Sequence, residues 1–255
     1  MDFTFGIITA GEADSYIQTT VIQIRKQKIP NYEIIIVGKT DVSGSDILNI
    51  PFDETVKKGW ITRKKNRIAQ TARYETIVFM HDYVTICDGW YEGFLKYGNT
   101  FQVCTNPIKS LDGSRFCDYT IFHSFNYFFG PNKGLLPYTY TPKESINRIV
   151  YMPGNYYVIK RQIALDIPLN EKLCHFDGED VYFSFELAIN NIMMTCNPYS
   201  ECRLLKQKEA IITEELTQND IQSLEENPDD FYLMILHKNI KRQVDYLRTI
   251  GVSVI

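Results

Sequence analysis

Nothing in these 255 residues approaches the roughly 18 consecutive apolar positions of a membrane-spanning helix. The N-terminal stretch MDFTFGIITAG has neither the basic start nor the long apolar core of a secretory leader. A basic excess is missing too. The 27 Lys and Arg against 31 Asp and Glu leave a net charge of −4, which is not the signature of a dedicated nucleic-acid binder. The six cysteines (Cys87, Cys104, Cys117, Cys174, Cys196, Cys202) never form a C-x-x-C pair, so zinc-ribbon and dithiol redox chemistry have no sequence support. Neither G-x-x-x-x-G-K-[ST] nor G-x-G-x-x-G occurs, so any bound phosphate must be neutralised by side chains or a metal. These absences lead us to expect a soluble, cytoplasmic protein with reduced thiols, no nucleic-acid partner and no membrane span.

What is present is a globular composition, 44% hydrophobic and 23% charged, in a chain long enough for one large domain with an appendage. The first hundred residues alternate between two periodicities. FTFGIITAG is a β-rich run closed by glycine. DSYIQTTVIQIRKQ then places Ile17, Val21 and Ile24 at helical spacing, with Asp14 or Ser15 as cap. YEIIIVG is a continuous apolar run of the kind parallel strands show when helices cover both sheet faces. ILNIPF is a third, weaker strand, TRKKNRIAQTARY a helix capped by Thr62, and ETIVFMHDY a fourth strand. This alternation predicts right-handed crossovers and an α/β fold with a Rossmann-like, mostly parallel central sheet flanked by helices.

Ligands in such sheets bind at the carboxyl ends of the strands. Those ends are Thr9 to Glu12, Gly38 to Asp41 and His81 to Tyr83. From 98 to 148 the periodicity dissolves into an aromatic stretch rich in turn residues. IVYMPGNYYVIKR then looks like one strand, HFDGED a loop, VYFSFELAINN a helix, IMMTCNPY a strand, and the chain from Lys206 onward helical.

Three constellations could carry chemistry. Residues 57–73 hold seven cations (Lys57, Lys58, Arg63, Lys64, Lys65, Arg67, Arg73) and no acid. They form either a solvated helix face or a surface for an anionic ligand such as a diphosphate. Asp82 is a candidate oxygen ligand for magnesium or manganese, with His81 as a nitrogen ligand favouring manganese; the competing reading is a capped turn. HFDGED carries His175, Asp177, Glu179 and Asp180 in six residues, more acid than a helix start needs, and one of these carboxylates could serve as a general base. Trp60, Trp90 and the tyrosines between 119 and 157 are core or sugar-stacking candidates. His123 and His237 have no partners in sequence.

In this order the motifs resemble the A-type nucleotide-sugar glycosyltransferases, particularly the family 2-like enzymes, over about residues 3–202. The run GNYYVIKRQIALDIPLNEKLCHFDGEDVYFSFEL carries the most specific likeness, with its GED acceptor motif. GWITRKKNRIAQTA matches the helix with Gly59, Lys65 and Asn66, and MHDY stands at the metal motif. Tyr83 occupies the place of that motif's last aspartate, and IMMTCNPYSECRLLK lacks the family's downstream histidine.

The resemblance implies a GT-A-type domain over 1–205, with a nucleotide-binding half (1–97) and an acceptor half (98–205), followed by a C-terminal helical extension (206–255). It implies an enzyme moving a hexosyl group from a nucleotide-diphosphate donor, UDP-sugar foremost, to a hydroxyl of a glycan, protein or lipid-linked acceptor. Thr9, Ala10, Gly11, Glu12, Asp41, Lys65, Asn66, His81 and Asp82 would contact the donor. Asp82, His81 and His175 would hold Mn2+ or Mg2+, and Asp180, then Glu179, would act as base in an inverting displacement. The C-terminal helices offer a surface for a homo-oligomer. Two other classes fit less well: an inactive relative that binds a glycan or nucleotide, and a sugar-nucleotide nucleotidyltransferase, whose glycine-rich basic loop ITAGEADS does not supply.

Overall fold

The computed structural model describes residues 1–121, 133–175, 177–208 and 213–226. The elements run β1 (Phe3–Ile8), α1 (Asp14–Lys26), β2 (Tyr32–Val37), β3 (Ile47–Ile50), α2 (Ile61–Thr71), β4 (Thr76–His81), β5 (Val84–Ile86), α3 (Trp90–Tyr97), β6 (Val103–Thr105) and β7 (Ile108–Lys109). They continue with β8 (Thr120–Ile121), β9 (Lys133–Leu135), α4 (Glu144–Asn147), β10 (Val150–Tyr151), β11 (Tyr156–Lys160), α5 (Arg161–Asp166), α6 (Glu179–Ile189), β12 (Met194–Cys196), β13 (Cys202–Leu204), β14 (Thr213–Glu215) and α7 (Gln218–Glu226).

Seven strands form the central sheet in the order β12-β6-β11-β4-β1-β2-β3. All neighbours are parallel except β11, which runs antiparallel to both β4 and β6. The apolar run in β2 has the cause its sequence suggests. Ile34 and Ile36 pack with Ile17, Val21 and Ile24 of α1 and with Trp90 and Phe94 of α3 on one face. Ile35 and Val37 pack with Ile68 and Ala69 of α2 and Phe183 and Leu187 of α6 on the other. Each buried Ile contributes about 1.5–3 kcal/mol relative to exposure, so a sheet covered on both faces is strongly favoured over a solvated one. Among the described residues no helix is long and apolar enough to cross a membrane. All six cysteines are free thiols.

Several local expectations are corrected. Ala13 occupies the cap position of α1, and Asp14 instead accepts hydrogen bonds from the Thr40 hydroxyl (2.6 Å) and the Asp41 amide (3.1 Å). Thr62 lies inside α2 and donates to the Leu173 carbonyl. The stretch 150–161 is two strands in two sheets, β10 and β11, because Pro153-Gly154 turns the chain between them. Glu179 and Asp180 belong to the first turn of α6 rather than to a loop. The region after Gly98 is organised by short strands: β10-β8-β9-β14 form one small sheet and β5-β13-β7 another. The chain beyond Lys206 is not uniformly helical, since β14 pairs with β9 in parallel. His123, His237 and the apolar stretch 231–250 lie outside the described residues.

The loops at the carboxyl edge are packed to atomic contact. The Thr9 amide donates to the Val37 carbonyl, and at Gly38 (φ +139°) a Cβ would lie 2.1 Å from the Thr9 carbonyl oxygen. Only glycine combines that φ with that approach. Gly38→Ala is therefore expected to lower the free energy of unfolding by about 2–4 kcal/mol, read as a lower urea midpoint. An unchanged midpoint would refute the constraint.

Candidate active site

The register of the sheet assembles the site. Ile8 pairs with His81, the Asp82 amide donates to the Ile8 carbonyl (3.1 Å), and the Thr9 hydroxyl donates to the Asp82 carboxylate (2.7 Å). The ends of β1 and β4 are thus one unit. On the other side of β4, the His81 amide donates to the Asn155 carbonyl (2.9 Å), which brings the Pro153-Gly154-Asn155 turn beside it. A cavity of about 630 Å³ opens there. Its wall is built by His81 and Tyr83 after β4, by Tyr151 and 153–155 between β10 and β11, and by His175, Glu179 and Asp180 at the start of α6. Phe116 and Cys117, and Lys206, Gln207 and Lys208 following β13, complete it.

Asp180 is held by three donors. The Tyr151 hydroxyl and the Gly154 amide (3.2 Å) reach Oδ2, and the Val181 amide (2.9 Å) reaches Oδ1. Its rotamer is therefore fixed, and Oδ1 keeps a lone pair for another proton donor. Glu179 is buried next to it, and burial, then the Asp180 charge, pushes its carboxyl up to about 7, while the nearby Lys65 charge opposes that rise. A Cβ at Gly154 would meet Asp180 Oδ2 at 3.1 Å and Glu179 Oε1 at 3.2 Å, so this position admits no larger residue without moving a carboxylate.

The basic helix resolves into two kinds of cation. Lys64 and Lys65 are only 2% and 1% exposed. Lys64 donates to the Thr9 carbonyl (2.7 Å) and pairs with Glu54. Lys65 donates to the Gly154 carbonyl (2.6 Å) and lies 4.9 Å from the Tyr157 ring centroid. Burial lowers the Lys65 ammonium to about 8 against the favourable fields of Glu179 and Asp180. Arg63 is half exposed over Trp60. The solvated-face reading therefore fails for 64 and 65, which work from beneath the site.

Of the other expected residues, Asn66 faces the loop before α6, donating to the Leu169 carbonyl and Glu171 and accepting from the Leu169 amide. Ala10, Gly11, Glu12 and Asp41 form the adjoining rim, with the Gly11 amide bound to the Thr9 hydroxyl and Ala10, Glu12 and Asp41 exposed. None of these rim residues lines the cavity. Trp90, Tyr119, Tyr156 and Tyr157 are core residues.

Two buried side-chain atoms at the cavity have no hydrogen-bond partner, His81 Nε2 and Asn155 Nδ2. Buried polar atoms are satisfied as a rule, so this pair marks a place for a polar ligand. Burial first, then the Lys65 charge, lowers His81 well below its ordinary value and keeps its ring neutral.

A divalent ion meets only part of a donor set here. Neutral His81 with its open Nε2 suits a metal. The remainder does not fit a hard cation that requires several oxygens. Burial raises Asp82 toward protonation and its carboxylate already accepts the Thr9 hydroxyl, while Tyr83 adds no carboxylate. Lys206 and Lys208 place positive charge at the same spot, lowering both His81 and His175. Among the described residues no three His, Cys, Asp or Glu side chains converge as a ligand set.

Sequence reasoning missed Asn155, the lysines 206 and 208, and the hydrogen bond by which Tyr151, expected in the core or under a sugar, holds Asp180. The lysines lie more than 120 positions from the β4 turn, and only the pairing of β13 with β5 brings them to it.

No protein-family model and no curated protein sequence matches the chain. Solved structures do resemble it. GalNAc-T7, in a crystal structure with UDP, GalNAc and Mn2+, matches with a TM-score of 0.57 at 11% identity, covering 91% of this chain and 50% of that one. TarS from S. aureus (residues 1–349) matches at 0.57 and 15% identity, covering 79% and 60%. Its complex with UDP matches at 0.53 and 12% identity, covering 100% and 76%. The chain thus spans about half the length of GalNAc-T7 and three fifths of the TarS fragment in the first two of these matches. At such identities the likeness is one of architecture, and this chain has the mixed α/β, mostly parallel GT-A fold of the glycosyltransferases.

Proposed function

We propose that the protein is a glycosyltransferase that moves a sugar from a UDP-sugar donor to an acceptor hydroxyl with inversion. The observation that carries this reading is the cavity itself. It lies at the carboxyl edge of a GT-A sheet, with two paired carboxylates on one wall and unpartnered His81 Nε2 and Asn155 Nδ2 available to a polar ligand. Neighbours of the same fold bind UDP or UDP-sugar, as the crystal structures of GalNAc-T7 and TarS are described.

The rim formed by Thr9, Ala10, Gly11, Glu12 and Asp41 takes the nucleoside, and the diphosphate lies toward His81. The acceptor oxygen attacks the anomeric carbon as the bond to the β-phosphate oxygen breaks, the electron pair leaving on UDP. Asp180 takes the acceptor proton, with Tyr151 and Gly154 holding its orientation. Glu179 offsets the field of Lys65 at Asp180. Manganese or magnesium, expected from the sequence, finds no assembled ligand set among the described residues. The acceptor class, a glycan, protein or lipid-linked hydroxyl, belongs to the same proposal, as does homo-oligomerisation.

Asp180→Asn is expected to lower sugar transfer on the order of 10²–10⁴-fold while leaving UDP binding intact, measured as UDP release with acceptor present. Near-normal turnover would sink the assignment of the base. One observation favours a binding-only relative: Tyr83 stands where an acid would be. Slow donor hydrolysis by the wild type, abolished in Asp180→Asn, decides for the enzyme.

The pH profile supplies a second test. Below about 7 Glu179 is protonated, and the Lys65 ammonium beside Asp180 then lacks that carboxylate's opposing charge. The groups facing this pair are Lys65, Asp177, Tyr83, Tyr151, Tyr157 and His175; burial raises the three tyrosines, and His81 and His175 are lowered and titrate below the limb. Transfer rate is expected to rise with pH through about 7, and Glu179→Gln to flatten that limb at a reduced rate. A limb unchanged in Glu179→Gln would remove Glu179 from this role.

A further inference from the structure

Two features of the cavity stand outside the expected chemistry and meet at one ring. Tyr83 is 8% exposed and packs edge-on against His81, with centroids 5.3 Å apart. Its carbonyl accepts the Leu205 amide (2.8 Å), which fixes the segment following β13 across the β4–β5 turn. From that segment the Lys206 ammonium lies 4.4 Å and the Lys208 ammonium 4.2 Å from the Tyr83 ring centroid. A tyrosine face attracts cations through its quadrupole, so the residue at the metal-aspartate position gathers two ammonium groups instead of ligating an ion. Both lysines line the same cavity as Asp180.

A departing diphosphate needs positive charge most when its bond to the sugar breaks. A dication supplies two charges through oxygen ligands. Among the described residues those ligands do not converge, whereas two lysines bring the same formal charge together with N–H donors. A dication placed among them would be repelled by both.

We infer that Lys206 and Lys208, seated on Tyr83, bind and neutralise the diphosphate of the donor without a divalent metal. This rests on the UDP-sugar reading above. Both lysines are substrate-binding residues that stabilise the leaving group, while Tyr83 positions them. No covalent step is added: the electron pair still leaves on the β-phosphate oxygen, and its charge is met by ammonium groups.

The test is calorimetric titration of the full chain with UDP and, separately, with uridine, in EDTA and in excess Mn2+. The wild type is expected to bind UDP in EDTA, with little gain from Mn2+. Lys206→Ala/Lys208→Ala should weaken UDP on the order of 10²-fold, since each charge-assisted contact is strong, and leave uridine binding unchanged. Lys206→Arg/Lys208→Arg should retain most of the UDP affinity, which separates charge from local folding. The inference is overturned if the wild type binds UDP only with Mn2+, or if the double alanine variant binds UDP like the wild type. Failure to bind UDP in either buffer overturns the donor reading itself, and this inference with it.

Discussion

Two ammonium groups carried into the interior by one turn of α2 set the conditions for everything around them. Removing an ion from water costs several kcal/mol even after relaxation, so Lys64 and Lys65 persist only where fixed partners replace the water. Consecutive helical residues point about 100° apart, so the two cannot share a partner. Lys64 reaches the Thr9 carbonyl and Glu54, while Lys65 reaches the Gly154 carbonyl near the carboxylates of Glu179 and Asp180. One helix thereby fastens the loop after β1 to the turn before β11 and, through it, to the start of α6. The cavity wall formed by that turn is fastened to α2 through Lys65.

The charge pattern follows from that arrangement. Carboxylates stand on the α6 side, lysines on the β13 side, and His81 is kept neutral between them by burial and surrounding positive charge. A cavity polarised in this way offers opposite fields at its two ends, which is what the proposed transfer requires. The polarity comes from the pairing of β13 with β5, a three-residue ladder that brings the end of β13 to the turn after β4.

How much of this was legible depended on whether the cause was local. β1, β2 and β4 and the buried stripe of α1 were readable because burial on both sheet faces writes itself into consecutive apolar residues and into helical spacing. Glu179 and Asp180 were readable from the density of acids in HFDGED, although their place in the first turn of α6 was not. Lys64 and Lys65 were visible as charge but not as buried charge, because the partners that admit them lie 55 and 89 residues away. The cap of α1 was misplaced because Asp14 had a stronger use in tying Thr40 and the Asp41 amide to the helix. Lys206 and Lys208 fell in a segment read as helical, which hid their neighbours, and the tyrosine they rest on registered only as a missing acid.

Gly154 has a consequence of a different kind. Its N–H points at Asp180 and its C=O at Lys65, so a single residue with no side chain stands between the carboxylate and the buried cation. Any displacement of this residue therefore moves a donor of Asp180 and the acceptor of Lys65 together, and the two contacts are kept or lost as one.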